Sequence, residues 1–553
     1  MRAAAEQGKI RPRGKQGLRE RPSQRQKIPI NNGKKPFKQS IFTTQSADAM
    51  SNKLLKPGHP FYDLVLKNIY PLILLVCSFG IYFTHYGSPG AMFWDENYHI
   101  ASAEKHVEGV MYMEPHPPLG KMLMGLAEAV LAPNKHVDKH KFTETDHIEG
   151  ADTPPDTKYT GYRWPSVVLM ALSVLFFYGI LRRITQSNLI AFLFSSFIIF
   201  DNALVIQARA AMLEGIQLFF VLAELYCFVN VITRGTPIRL KDYALLGLII
   251  GLGISVKVTS AIEFLLFVML FGVDQWRNLQ TLNYRELAKR LVITAPIGVG
   301  AAALVFLSVF YIHIGMGTKI IADHTYKASP EYLQAIRRGD TWSLSTFSIG
   351  LRDNLKYMSE YADGVPKLDE CKPDENGSFA MDWLFGKKTI SYRWDKDTVD
   401  GKVQVKYMSI VVNPVIWFSV VAGIVLSLGL IMSKFVYGQQ EKNTPLFYWI
   451  CVFTTLYMCY MIAILQIERV MYLYHYLVPL VFGSLNLALV FSYIYREDIL
   501  ANNKHMWINL SLYITLVIAV FAFFAPFTYG LALTEDQFEM RNWFSFWKLQ
   551  VVQ

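Results

Sequence analysis

The sequence is short of charge, short of cysteine and empty of nucleotide-binding motifs. Lys, Arg, Asp and Glu make up 18% of its 553 residues, against about a quarter in a soluble globular protein. A string of soluble domains of this length would carry more charge than that. Of the five cysteines, Cys77, Cys227, Cys451 and Cys459 lie in or beside apolar runs, and Cys371 stands alone in a long polar segment. They read as small hydrophobes and provide no disulfide framework. There is no P-loop and no glycine fingerprint. His99, His106 and His116 share one segment with acids, which keeps a metal site open as a reading, but no ligand cluster has a convincing spacing. No internal repeat is visible, which disfavours a transporter built from inverted repeats. The long basic start has no small-residue cleavage site after the first apolar run, so a cleavable signal peptide is not expected.

The net charge of +10 does not point to nucleic acid. Residues 1–68 hold 15 Lys/Arg against 4 Asp/Glu, so much of the excess sits in one tail. That tail reads as a basic, disordered cytosolic segment with some attraction for anionic membrane lipids.

What the chain does have is apolar runs near twenty residues long, the length that crosses a bilayer core of roughly 30 Å. Eleven are expected, near 69–86, 165–181, 188–206, 211–232, 242–257, 260–275, 291–312, 410–432, 446–466, 470–493 and 507–527. The pair 242–257 and 260–275 also reads as one broken or re-entrant element. With the N-terminus in the cytosol, the connections on that side carry Arg182 and Arg183, then Arg234, Arg239 and Lys241, then Arg277, Arg285, Lys289 and Arg290, as the positive-inside rule requires. This orientation places segments 87–164 and 313–409 and the tail 528–553 outside the cytosol. The organisation expected is a tail over 1–68, a membrane module over 69–312, a small loop domain over 313–409, further spans over 410–527 and an outer tail over 528–553. Within 87–164, the apolar spacing after Pro117-Pro118 predicts an amphipathic helix along the membrane surface.

Chemistry is expected in the outer segments. Asp95 and Glu96 are adjacent carboxylates among Phe93, Trp94 and Tyr98. Such surroundings raise a carboxylate pKa by desolvation, and a carboxylate can take a proton from an attacking alcohol. The pair could also be ordinary loop residues. Glu114, His116 and Lys121 surround a Pro-rich turn into the predicted helix; a lysine there opposes the helix dipole unless an anion is nearby. Arg163, Arg209, Glu214, Lys257 and Arg469, followed by Tyr474-His475-Tyr476, lie at outer ends of spans. Single cations there often only snorkel. Together, on the side where the positive-inside rule disfavours them, they suggest a bound anion such as a lipid phosphate.

These motifs resemble the protein O-mannosyltransferases, membrane glycosyltransferases of the GT-C class, over most of the membrane region. The strongest match is His116-Pro-Pro-Leu-Gly-Lys121. Asp95–Glu96, Arg163, Arg209 with Glu214, Gly253 to Lys257, Asn413-Pro414 with Trp417, and Tyr474-His475-Tyr476 support it. The resemblance implies an all-α polytopic GT-C fold with about 11 transmembrane helices and amphipathic loop helices. It implies inverting transfer of mannose from polyprenyl-phosphate mannose to Ser/Thr hydroxyls of a translocated polypeptide, with no cofactor beyond the lipid-linked donor and no essential metal. Asp95 would be the base and Glu96 its companion. Arg209, Lys257, Arg469 and His475 would hold the donor phosphate, in decreasing order of match. Glu114, His116, Lys121, Arg163 and Glu214 would organise the site or the acceptor. Glu114 and Glu214 stand where the family more often has Asp. The MIR domain that eukaryotic relatives insert after the seventh span has no counterpart in 313–409, so the chain resembles the bacterial form. A bacterial plasma membrane and an association with the translocon are the matching expectations. A related enzyme with another sugar or a lipid or glycan acceptor, and a non-enzymatic transporter or subunit, are the competing readings. Glu263, an acid inside a span, has no explanation at this level.

Overall fold

The structure is a computed structural model that describes residues 60–321, 328–372, 375–399 and 402–551. The basic tail expected over 1–68 therefore lies outside the described residues except for the first turns of α1. The helices run α1 Pro60–Phe83, α2 Glu96–Glu108, α3 Leu119–Leu131, α4 His140–Glu144, α5 Thr160–Thr185, α6 Asn188–Ile199, α7 Asn202–Ala208, α8 Glu214–Thr233, α9 Leu240–Val256 and α10 Leu265–Asp274. After these come α11 Trp276–Gln280, α12 Tyr284–Met316, α13 Pro330–Arg337, α14 Leu344–Gly364, α15 Pro414–Phe435, α16 Thr444–Leu465, α17 Leu477–Ile494, α18 Arg496–Leu500, α19 Lys504–Tyr529 and α20 Glu535–Glu539.

Among the described residues seven helices are long and apolar enough to cross a membrane, or eight if α6 and α7 form one bent span. This corrects the expected eleven. The shortfall has a physical cause at 1.5 Å per helical residue. The α9 helix stops after 17 residues at Lys257, and the chain continues as a 3-10 stretch over Val258–Phe264 before the ten residues of α10. The runs 242–257 and 260–275 thus form the broken element that was the alternative reading. The apolar part of α1 covers only Asn68–Phe83.

Several spans start on a side-chain oxygen that takes up a free backbone N–H. Ser187, Asn283, Asn413 and Asn443 accept from Ile190, Glu286, Val415 and Leu446 in this way. The 61° bend between α6 and α7 frees backbone groups in an apolar setting, where each needs a partner. Asn413 donates to the Phe200 carbonyl at 2.9 Å, Asp201 caps Leu204 N at 3.0 Å, and Trp417 Nε1 donates to the second Asp201 oxygen at 2.8 Å. The Asn413-Pro414 and Trp417 matches are therefore a brace for this bend.

The amphipathic helix predicted after Pro117-Pro118 is α3. It buries Lys121, Met124 and Glu128 and exposes Leu126, Val130 and Leu131. A side chain on Gly120 would come within 2.4 Å of Leu213, so glycine lets α3 lie against the start of α8. Against this helical background stands one sheet, antiparallel in the order β1-β2-β3, formed by Ser391–Val399, Lys402–Ser409 and Ala532–Leu533. The register jumps between Ser391 and Arg393. Tyr392 is the extra residue of this bulge, a device that re-aims a side chain. The C-terminal segment binds the same region, with Lys388 N and Thr389 N donating to Phe546 O and Trp547 O at 2.9 Å each.

Candidate active site

The site is built where α2, α3, the α9 break and the turn before α17 meet. Trp94, just ahead of α2, holds φ at +54°, a left-handed conformation that is unusual for a bulky residue and is found where surroundings impose it. Its ring packs on Tyr392 at 5.3 Å, Tyr472 at 5.4 Å and Tyr474 at 6.5 Å. Asp95 follows at the N-cap of α2 without capping it, which leaves its carboxylate for other work. Tyr474 Oη approaches Asp95 Oδ2 at 3.5 Å, a long hydrogen bond. Burial, followed by the charge of Glu214, pushes the Asp95 carboxyl up to about 7, against the lowering pull of Lys257, Tyr474 and Lys121. The upward shift expected from the aromatic collar is present. Nothing local in the sequence links its neighbours Glu214 and Lys257 to it.

The other candidates divide into those that face this carboxylate and those that hold the scaffold. Glu96, expected beside Asp95 as a catalytic companion, has its carboxylate engaged by the scaffold. It is fully buried, and four donors occupy its oxygens: Arg163 Nε at 2.7 Å, Arg163 Nη2 at 2.8 Å, Ala211 N at 2.8 Å and Phe93 N at 3.2 Å. Arg163 also donates to Pro89 O and Ala91 O at 3.0 Å each. The bidentate pair thus fixes the loop that presents Asp95.

Arg209 has two of its nitrogens engaged by the scaffold, while its Nε is buried without a partner among the described residues. It is 2% exposed. Its two terminal nitrogens donate to the carbonyls of Thr528 and His85, and its plane lies over Tyr529 at 4.7 Å. It ties α7 to the end of α19 and to the loop after α1.

Lys257, at the α9 break, donates to Glu214 Oε1 at 2.6 Å and lies over the Tyr474 ring at 5.5 Å. Lys121 pairs with Glu114 Oε2 at 2.9 Å, and Ser102 donates to the other Glu114 oxygen. Both lysines are buried while Glu114 is half-buried. His116 is also half-buried, and burial, then Lys121, Lys257, His99 and Arg469, holds its imidazole well below the usual range. At neutral pH it is uncharged. His475 turns Nδ1 onto the backbone of Tyr472, at 3.0 Å from the carbonyl, and stacks on Trp383 and Tyr474. Its ring stabilises the turn that presents Tyr474.

Arg469 differs from the other cations. It is half-buried and lies within electrostatic reach of His116 and His475. Its neighbour Glu468 pairs with Lys367, and no carboxylate reaches Arg469 among the described residues. The charge balance follows. Lys121 and Lys257 have carboxylate partners, Asp95 is half-protonated near neutrality, and Arg469 is left over. Of these three cations, Arg469 is the one without a carboxylate partner among the described residues.

Two participants carried no signal that singled them out. Gln207 donates to Glu214 Oε2 at 3.1 Å and accepts from Tyr392 Oη at 2.6 Å. In the sequence it stands between two apolar runs, close to Asn202 and Arg209, and nothing marks it out from them. Tyr392 sits on a hairpin far along the chain. Glu263 proves to be fully buried near Glu224; neither carboxylate has a hydrogen-bond partner among the described residues, and nothing in the structure explains the pair. No cluster of three or more His, Cys, Asp or Glu suited to a metal occurs among the described residues.

Comparison with known proteins adds a second line. Residues 72–316 match the family model described as dolichyl-phosphate-mannose-protein mannosyltransferase, and residues 356–547 match the C-terminal four-transmembrane region of protein O-mannosyltransferase. Curated relatives include dolichyl-phosphate-mannose–protein mannosyltransferase 1 of Schizosaccharomyces pombe, 27% identical over 51% of this chain and 32% of its own length. Protein O-mannosyl-transferase 2 of Drosophila melanogaster is 26% identical over 44% of this chain and 32% of its own length. The chain thus spans about a third of the length of these relatives. Among solved structures, a chain of the S. cerevisiae protein O-mannosyltransferase Pmt1–Pmt2 complex bound to the sugar donor superposes with a TM-score of 0.72 at 15% identity. That match covers 91% of this chain and 94% of the other.

Proposed function

We propose a function from one premise: the chain belongs to the protein O-mannosyltransferase family and has its GT-C fold. It transfers mannose from a polyprenyl-phosphate mannose to Ser/Thr hydroxyls of a polypeptide, with inversion at the anomeric carbon. The observation that carries the reading is the Asp95 carboxyl, raised to about 7 and set among Lys257, Lys121 and Tyr474, with Arg469 nearby at His116 and His475 and without a carboxylate partner among the described residues.

The chemistry follows from that pairing. Asp95 accepts the proton of the attacking hydroxyl as its oxygen bonds to the sugar's anomeric carbon. The bond from that carbon to the phosphate oxygen breaks, and the electron pair leaves with the polyprenyl phosphate, which gains one negative charge. A phosphate is a competent leaving group if that charge is met by fixed cations. Arg469 meets it directly, with Lys257 and Lys121 behind their carboxylate partners. A carboxyl held near 7 is a better base than an ordinary one and is still ionised in a useful fraction at neutral pH. Trp94, Tyr472 and Tyr474 narrow the approach for water, which limits hydrolysis of the donor.

The finer features belong to the same reading. The bacterial-type form and a plasma-membrane location are taken over from the sequence resemblance. The basic connections that hold Arg182, Arg183, Arg234, Arg239 and Lys241 favour a site on the non-cytosolic face, where a translocated acceptor would meet it. Purified protein supplied with polyprenyl-phosphate mannose and a Ser/Thr peptide should form mannosyl peptide, and Asp95→Asn should abolish it. Unchanged turnover in that variant would sink the base assignment. Transfer only to a non-protein acceptor would favour a related enzyme of the same fold.

A further inference from the structure

We propose that a cavity lined by Trp94 receives the polypeptide that carries the acceptor hydroxyl, and that Tyr392 couples this cavity to Lys257 beside Asp95. The proposal rests on the transferase reading above and says where its second substrate runs.

The cavity has a volume of about 660 Å³ and is bounded by the loop from Gly90 to Trp94, the segment from Gly150 to Tyr159, and Tyr392 with Arg393 of β1. That volume lies within the range of functional ligand sites. Its walls come from loops, the start of α2 and a hairpin, so its occupant arrives from water. Its one cation, Arg393, is engaged with Asp395 at 2.6 Å, so the cavity is a poor host for a phosphate. Asn97, Thr153, Asp156 and Thr157 give the lining a mostly polar surface beside Trp94 and Pro154-Pro155. An extended peptide, with backbone groups to pair and side chains to set against the indole, suits such a lining, and the lipid donor does not.

Position supports the same occupant. Trp94 lines the cavity, and its ring packs on Tyr392 at 5.3 Å, on Tyr472 at 5.4 Å and on Tyr474, the partner of Asp95. The residue that follows Trp94 is the base itself, so a peptide seated in the cavity lies against the residue next to Asp95.

The coupling is a continuous chain of hydrogen bonds. Tyr392 Oη donates to Gln207 Oε1 at 2.6 Å, Gln207 Nε2 donates to Glu214 Oε2 at 3.1 Å, and Lys257 Nζ donates to Glu214 Oε1 at 2.6 Å. A single amide facing a hydroxyl donor and a carboxylate acceptor has only one orientation that satisfies both. The wall of the acceptor cavity is thereby linked to Lys257 beside Asp95. Tyr392 and Gln207 are positioning residues.

Gly90 and Gly150 provide the test, because a Cβ on either would meet no atom within 4 Å. Gly90→Trp and Gly150→Trp, made separately in the full-length membrane protein, put bulk into the cavity and leave the packed interior alone. With polyprenyl-phosphate mannose and a Ser/Thr peptide, each should raise the peptide KM at least tenfold while the donor KM stays within twofold of the parent. An unchanged peptide KM in both variants overturns the assignment. A raised donor KM also overturns it, because the cavity would then belong to the donor. Gln207→Leu should lower kcat at an unchanged peptide KM, and an unchanged kcat overturns the coupling. If the parent itself transfers mannose to no peptide, the transferase reading fails and takes this occupant with it.

Discussion

The charge on Asp95 should be tunable in opposite directions by two substitutions in one ion pair. The carboxyl titrates near 7 because burial and then Glu214 raise it, while Lys257, Tyr474 and Lys121 lower it. Only the ionised form can accept a proton, so kcat/KM should rise with pH along a limb set by the free enzyme. At pH 6 about a tenth of the carboxylate is ionised and at pH 8 about nine tenths, from the ordinary titration curve about a pKa of 7. Lys257→Met removes a lowering charge and leaves Glu214 unpaired, so the limb should move up by on the order of one unit. Glu214→Gln removes a raising charge and leaves Lys257 unpaired, so the limb should move down by a similar amount. Each substitution also breaks a buried pair, with a stability loss of about 3–5 kcal/mol; the midpoint of the pH profile is independent of that loss so long as folded protein is assayed. The double variant removes both charges and should return the limb toward its parental position. The measurement is the pH dependence of kcat/KM for a Ser/Thr peptide. If both single variants move the limb the same way, or neither moves it, Asp95 is not the titrating base.

Three other outcomes follow from the same geometry. Arg469→Ala should raise the donor KM by about 10- to 100-fold, the loss of one charge-assisted contact of about 1.5–3 kcal/mol, with the peptide KM unchanged. Arg209→Lys should cost about 2 kcal/mol of stability through the lost carbonyl contacts, seen as a lower unfolding temperature, with the donor KM unchanged; a raised donor KM would restore Arg209 to the phosphate site. Asp95→Asn should be inactive yet more stable than the parent at alkaline pH. The folded carboxyl holds its proton more tightly than the ordinary value of 3.8, up to about 7. The native state therefore binds more protons between those values, and the parent loses stability as pH rises through them. Asn escapes that loss, which for a shift from 3.8 to about 7 comes to ~4 kcal/mol above pH 7, and equal thermal stability of the two proteins at pH 8 would contradict it.

Long apolar runs and their flanking charges are local features, so most of the membrane architecture was legible in the sequence. The miscounted spans show where locality ends. Residues 242–275 contain enough apolar residues for two crossings, but helix length is set by where the backbone breaks, and the break falls at Lys257. Gly253, one turn earlier, explains part of this. A Cβ there would approach Glu224 Oε1 at 2.5 Å, so the end of α9 is pressed against α8, and Lys257 is brought beside Glu214. The hairpin over 391–409 was equally hidden. Its strand Ser391–Val399 is largely polar, and its packing partner β3 lies more than a hundred residues away.

The cations teach the same lesson more sharply. Arg163, Arg209, Lys257 and Arg469 are alike in sequence, each a basic residue near the end of an apolar run. What separates them is whether the fold supplies an acceptor. Arg163 meets the Glu96 carboxylate and loop carbonyls, Arg209 meets the carbonyls of Thr528 and His85, and Lys257 meets Glu214. Those acceptors come from segments up to 319 residues distant in the chain, and no local pattern announces them. A buried cation that has its acceptors is part of the scaffold, because turning it toward a ligand would strand those acceptors and its own charge at a cost of several kcal/mol. A cation left half-buried without a carboxylate is the one with binding free energy still to give. By that criterion we propose the reverse of the order of match in the sequence: Arg469 should matter more to the donor phosphate than Arg209, whose two terminal nitrogens already hold carbonyls.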